Sequence, residues 1–300
     1  MGASTRQLGI AAAAGGRWGR SPRFHARGLA TDRVDVTASP GAAFERIEPD
    51  TASWAAYFSN HIHRYMFAAE KLKEVGARHV LDAACGVGYG ARYLADTAAV
   101  TVVAADRDAG ALQIATDRFP HRAVTLVQDD CHTLAPCQPL GPFDAVVSFE
   151  TVEHLQRPAD FLKRCRKLLV ARGLLIASTP NRGAEAAPLD WNYHEREYTA
   201  AELGLLLAEA GFGQMALYRQ RLTALGEFRR EVRAELNFLR FNPFFRAGQR
   251  LQRLVRGRTK PLPVLPEQIG DFETVPLENA QECDALGASG PFVLIALSRS

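Results

Sequence analysis

From residue 44 onward, apolar and polar positions fall into a repeating order. In WAAYFSNHIHRYMFAAEKLKEV, Tyr57, Ile62, Tyr65, Met66, Ala69 and Leu72 return at helical spacing, which predicts one helix or two. Short apolar runs then alternate with amphipathic segments. HVLDAAC reads as a strand and GARYLADT as the helix after it; VTVVAAD is a second strand and AGALQIATDRF its helix. AVTLVQDD and FDAVVSFE are the third and fourth strands. PADFLKRCRKLLV is an amphipathic helix stopped near Gly173, and GLLIASTPN is a fifth strand closed by Pro180. GFGQMALYRQ and PFVLIALSR read as a sixth and a seventh strand. Alternation with short connections predicts an α/β fold, a mostly parallel sheet with helices on both faces.

In such sheets ligands sit at the carboxyl ends of the strands. Asp82, Asp106, Asp130 and Glu150 all fall at those ends, after strands one to four. Four strands delivering acids to one rim read as a site. Between the first strand and its helix, LDAACGVGYGARYL holds Gly86, Gly88 and Gly90, a turn that brings backbone close to a ligand and opens a helix. A dinucleotide would lay its pyrophosphate on that helix N-terminus, and Asp82 directly ahead of the turn opposes a phosphate. S-adenosylmethionine suits the acid better, because it lacks phosphate and carries a sulfonium and an ammonium. Asp106, ending the second strand, is placed to accept hydrogen bonds from ribose hydroxyls.

Composition narrows the field little. The chain has 300 residues, 47% hydrophobic, with 36 basic against 33 acidic side chains and a formal net charge of +3. That balance gives no reason to expect a nucleic-acid binder. Cys85, Cys131, Cys137, Cys165 and Cys283 are scattered without a CxxC pair, and read as reduced thiols in a cytoplasmic protein. No apolar run approaches the roughly 18 residues of a membrane span.

VLDAACGVGYG, VVAADRD, LVQDDCHTL, FDAVVSFETVEHLQRPADFL and GLLIASTPN, in this order across residues 80 to 181, resemble the successive motifs of class I S-adenosylmethionine-dependent methyltransferases. The resemblance implies a Rossmann-like, seven-stranded sheet whose last strand is antiparallel. It implies that Gly86 and Gly88 approach the methionine part of the cofactor, Asp106 the ribose, and Asp130 with Cys131 the adenine. It also implies that Arg64, in the helix before the first strand, meets the cofactor's carboxylate. Asp82, Ala84, Arg107 and Phe149 belong to the same expected cofactor set. Ala84 stands where a glycine is commoner, a difference of one methyl. FERIEPD…HIHRYMFAAE and STPNR…WNYHEREYTAAEL resemble, more loosely, bacterial enzymes of surface-glycan or sugar methylation.

Two groups could do chemistry. In ETVEH, Glu150, Glu153 and His154 stand at i, i+3 and i+4, so a helix after the fourth strand would put them on one face. They could hold a divalent cation such as Mg2+, position the acceptor or serve as its base, or simply pack. The spacing resembles the metal-binding triplet of ubiquinone-pathway O-methyltransferases. In NYHEREYT, His194 is a second candidate base on a loop above the strand ends, with loop anchoring as the alternative. His61 and His63 read as helix-surface or packing residues.

Four segments follow. Residues 1–43 form a tail with five arginines among the first thirty positions and no acid before Asp32, either disordered or a transit-like peptide that would make the protein mitochondrial. Residues 44–220 are the methyltransferase core, 221–290 a basic and partly helical insertion, and 291–300 the final core strand. In the insertion Leu225, Phe228, Val232, Leu236 and Leu239 step at helical spacing, as do Phe244, Leu251, Leu254 and Val255. Residues 219–260 carry twelve Lys/Arg against three Glu, either a solvated face or a surface for an anionic partner: a nucleotide-linked sugar, a lipid-linked glycan or a peripheral membrane contact. Nucleic acid is the less favoured partner, since no base-stacking module is displayed. The leading expectation is O-methylation of a small-molecule or glycan hydroxyl. The alternatives are a quinone or phenol O-methyltransferase, metal-assisted, and a non-catalytic S-adenosylmethionine-binding relative.

Overall fold

Strand after strand along the chain is built from small and β-branched residues, and these pair into one sheet. The computed structural model describes residues 48–49, 52–182, 194–241, 271–277 and 293–299. Helix α1 (Ala52–Val75) leads into β1 (His79–Ala83), α2 (Tyr89–Ala98), β2 (Thr101–Asp106), α3 (Ala109–Arg118) and β3 (Val124–Gln128). β4 (Phe143–Phe149), α4 (Pro158–Leu168), β5 (Leu169–Pro180), α5 (Ala200–Glu209) and β6 (Gln214–Leu222) follow. α6 (Ala224–Phe241), β7 (Phe272–Pro276) and β8 (Val293–Arg299) complete the described elements. The tail at residues 1–43 and the second helical pattern, from Phe244 to Val255, lie outside the described residues.

The strand order is β3-β2-β1-β4-β5-β8-β6-β7. β1 to β5 pair in parallel, and β8 runs antiparallel to both β5 and β6. The expectation of seven strands needs correction. Phe272–Pro276 adds an eighth strand, paired antiparallel to β6 from Tyr218↔Pro276 to Leu222↔Phe272. Part of the segment read as an insertion is therefore sheet. Its signal was weak because FETVP is short and mixes one aromatic with an acid and a proline, so neither alternation nor an apolar run marks it.

Side chains alternate between the faces of the central strands. Leu81, Val146 and Leu175 join Phe161, Leu162, Leu203 and Leu207 of α4 and α5 in one buried cluster. Val80, Ala145 and Ile176 join Leu72 of α1 and Leu94 of α2 in the other. Burial on both faces is why these strands read as continuous apolar runs. α5 is fixed at its start by a capping box: Thr199 accepts from the Glu202 amide while Glu202 accepts from the Thr199 amide.

α1 lies across α2 at Gly90. A Cβ built at that position would fall 1.9 Å from Cζ of Tyr65, far inside contact distance. The third glycine of the turn therefore admits the Tyr65 ring between the helices. Overpacking of this kind costs about 1–3 kcal/mol and sometimes more. Gly90→Ala is expected to lower the denaturation midpoint accordingly, and the same change at Gly204, where a Cβ meets nothing within 4 Å, is expected to be harmless or mildly stabilising.

Candidate active site

The turn after β1 is held by one carboxylate. Asp106, at the end of β2, accepts from the Gly86 amide at 2.8 Å and from the Asp108 amide at 2.9 Å, one on each oxygen. Gly86 (φ 56) and Gly88 (φ 80) both need the left-handed region, which glycine enters without cost. Ala84 is also left-handed, at φ 63. Its difference from glycine is thus conformational as well as one of bulk, a strain of about 1–2 kcal/mol for a residue with a Cβ.

Asp82 is fully buried beneath this turn. The Tyr65 hydroxyl lies 3.3 Å from each of its carboxyl oxygens. Burial pushes the Asp82 carboxyl up to about 7, against the Tyr65 hydrogen bond that lowers it, and the nearby Asp106 charge adds to the rise. Asp82 does not reach the cavity wall, so any effect on a ligand passes through the field and through Tyr65.

Above the strand ends opens a cavity of about 470 Å³, within the usual range for small-molecule sites. Of the residues expected at a cofactor, Ala84, Gly86, Asp106, Arg107, Asp130, Cys131 and Phe149 line it. Gly88 does not; it packs against α3, where a Cβ would come 2.6 Å from that of Ala115. Arg64 is not on the wall either, contrary to expectation. It is 1% exposed, with Nε donating to Gln220 at 2.9 Å, Nη2 donating to Asn60 at 3.0 Å, and Nη1 facing Glu150 at 3.4 Å without a hydrogen bond. Glu150 stands between this guanidinium and the cavity. Asp130 keeps its carboxyl below the usual range because it accepts from both the backbone and the side chain of His132. His61, read from the sequence as a surface or packing residue, lines the cavity instead, as do Tyr65 and Tyr89. Their signal was present in the chain: His61 and Tyr65 are four apart on one helix.

The ETVEH group is rearranged relative to expectation. Only Val152–His154 is helical, a single 3-10 turn, and Glu150 precedes it in a left-handed conformation at φ 50. The three side chains therefore do not share a helix face. Glu150 turns toward Ser178, which donates to it at 2.8 Å, and toward Arg64. Glu153 is 0% exposed, and neither of its carboxyl oxygens has a hydrogen-bond partner. Burial, then the Glu150 charge, holds its carboxyl well above the ordinary range. His154 lies beside it, Nε2 at 3.9 Å from Glu153 Oε1, and lines the cavity with a side chain 35% exposed.

His194 joins this group from a distant part of the chain. The amides of Glu195 and Arg196 both donate to the Glu153 carbonyl, at 2.8 and 3.2 Å, which pins the segment onto the 3-10 turn. The His154 and His194 rings meet edge to face at 4.9 Å between centroids. His194 Nδ1 and a carboxyl oxygen of Glu197 are 2.9 Å apart. The cavity wall takes Glu195 rather than His194.

Comparison with known proteins bears on this arrangement. Residues 81–177 match the family described as "Methyltransferase domain". The match runs from β1 through most of β5, the strands that carry the glycine turn, Asp106, Asp130 and Glu150. A Mycobacterium tuberculosis (strain H37Rv) protein described as "Probable S-adenosylmethionine-dependent methyltransferase" is 36% identical over 187 residues, 60% of this chain and 65% of the relative. The chain thus matches slightly less than two thirds of that relative's length. A ubiquinone biosynthesis O-methyltransferase of Dinoroseobacter shibae is 36% identical over 109 residues, 36% of this chain and 43% of the relative. Among solved structures, one described as a "putative sarcosine dimethylglycine methyltransferase" from Galdieria sulphuraria aligns over 80% of this chain and 85% of its own, with a TM-score of 0.52 and 16% identity, which shows the shared α/β fold.

Two outcomes follow from the turn. Because the folded Asp82 carboxyl titrates higher than an ordinary one, its contribution to stability is full at low pH and is lost as pH rises toward and through about 7. Between about pH 5 and pH 8 the wild type should lose stability relative to Asp82→Asn by on the order of 2–3 kcal/mol, read from denaturant midpoints; parallel curves for the two proteins would refute the assignment. Ala84→Gly should raise stability by up to about 1 kcal/mol, the relief of left-handed strain less the entropy of an added glycine.

Proposed function

We propose that the chain is an S-adenosylmethionine-dependent methyltransferase acting on a hydroxyl of a small molecule or glycan. The observation that carries the cofactor is the charge of the cavity. Asp106, Asp130, Glu150 and Glu195 line it against one guanidinium, Arg107. Such a wall repels a pyrophosphate and favours a cation. The methyltransferase-domain match over 81–177 and the Mycobacterium tuberculosis relative support the same reading.

The residues fit the cofactor piece by piece. Each Asp106 oxygen holds one amide, and a carboxylate accepts up to about four hydrogen bonds, so capacity remains for two ribose hydroxyls. Phe149 and Cys131 supply apolar wall, and Asp130 a polar edge, for a purine. Arg64 Nη1 is a buried donor without a hydrogen bond, so a ligand carboxylate that displaced Glu150 would satisfy it. S-adenosylmethionine supplies an electrophilic methyl on a sulfonium, and its departure needs no acid. The work left to the chain is to hold the acceptor in line, worth up to about 7–11 kcal/mol in well-oriented systems, and to handle the hydroxyl proton. On the wall that task falls to His154, backed by Glu153 and His194.

A phenolic or quinol acceptor is the second reading, favoured by the likeness to ubiquinone biosynthesis O-methyltransferases. The basic excess of residues 219–260, proposed above as a surface for an anionic partner, is partly neutralised where it is described: Arg221 pairs with Glu273 at 2.7 Å and Arg229 with Asp271 at 2.6 Å.

Calorimetry should show S-adenosylmethionine and its demethylated product binding, with loss on Asp106→Ala, and no comparable binding of NAD. Equal binding of NAD would sink the cofactor assignment. With labelled methyl donor and a panel of sugars and catechols, His154→Ala should slow transfer by about 10²–10⁴-fold while cofactor affinity holds. Unchanged transfer would remove His154 from the reaction.

A further inference from the structure

We propose that Glu153, His154 and His194 form a binding site for a divalent first-row transition ion, with its open coordination position toward the cavity. Each of the three residues offers one donor atom, and these atoms all lie within 4.8 Å of one another. Two donors about 2.0–2.2 Å from a tetrahedral ion stand about 3.3–3.6 Å apart. The 3.9 Å between Glu153 Oε1 and His154 Nε2 is therefore close to a ligand–ligand spacing before any ion draws the groups together.

Glu153 supplies an independent reason. A carboxyl that is 0% exposed is costly, and among the described residues the only polar side chain that reaches Glu153 from its own side is the Thr179 hydroxyl, whose contact with it falls short of a well-formed hydrogen bond. A cation among these side chains would supply the missing partner. His194 is set up for the role: a neutral imidazole whose Nδ1–H donates to Glu197 has Nε2 as its basic nitrogen, the carboxylate–histidine pairing that orients metal ligands. His154 stands on the cavity wall, so the fourth position opens where an acceptor enters.

Two imidazoles and one carboxylate suit zinc, cobalt or manganese better than magnesium, which prefers oxygen ligands and its own waters. The ligand set also differs from the expected one: Glu150 is engaged by Ser178 and Arg64, and His194 takes its place. The inference rests on the methyltransferase reading for its use, Lewis-acid activation of the hydroxyl in place of proton removal by His154, but not for its test.

Chelator-treated full-length protein is titrated with Co2+ and the visible absorption of the bound ion followed, with S-adenosylmethionine affinity measured on the same samples. One equivalent of Co2+ should bind, displaced by Zn2+ and not by equal Mg2+. Glu153→Gln and His194→Ala should each weaken binding by at least about tenfold, while Glu150→Gln, which removes a neighbouring charge but no ligand, should weaken it by less. His194→Ala leaves the Glu195 and Arg196 amide bonds to the Glu153 carbonyl in place, so it remains informative if Glu153→Gln misfolds. Absence of stoichiometric binding, displacement by equal Mg2+, or a His194→Ala variant that binds as the wild type does overturns the site. Metal binding that fails while S-adenosylmethionine still binds refutes this inference alone; the converse refutes only the cofactor assignment.

Discussion

Two backbone amides, from Gly86 and Asp108, point at the two oxygens of one carboxylate. Asp106 thereby ties the turn after β1 to the turn after β2, and the cavity floor depends on that tie. Charge-assisted bonds of this kind are stronger than neutral ones. Without it the left-handed run through Ala84, Gly86 and Gly88 would have no fixed partner, and the start of α2 would lose its position over the strand ends. Beneath it, Tyr65 reaches across Gly90 to Asp82, so the helix ahead of β1 is part of the same construction.

The sheet was legible because burial on both faces writes itself into sequence as uninterrupted apolar runs. β1, β2, β4 and β5 are such runs, and so their ends, with Asp82, Asp106 and Glu150, could be placed on one rim in advance. The depth of those acids could not. Asp82 lies under the turn rather than beside the cavity, with the Tyr65 hydroxyl against its carboxyl. Arg64 was expected to meet the cofactor's carboxylate, and the structure holds it off the wall, with Gln220, 156 positions away, taking its Nε. A bond between α1 and β6 leaves no local pattern in the chain.

The histidines show the same limit from another side. ETVEH reads as helix only if the backbone continues helically from Glu150, and a left-handed residue there ends that possibility. His194 meets His154 because the amides after it find the Glu153 carbonyl, a backbone contact that any side chain at 195 or 196 could make. Spacing rules see side chains along one element. They do not see a carbonyl that gathers a distant strand of chain.

The eighth strand carries a consequence for how the molecule meets its neighbours. An open sheet edge is a template on which another chain can lay a strand, and β6, at nine residues, would make a long one. β7 covers its ladder from Tyr218 to Leu222 with five residues, one of them charged Glu273 and the last Pro276, which has no amide to offer. A short strand ending in proline gives an incoming strand little to grip. The Tyr218–Leu222 part of β6 is thereby protected against stray self-association by its own chain.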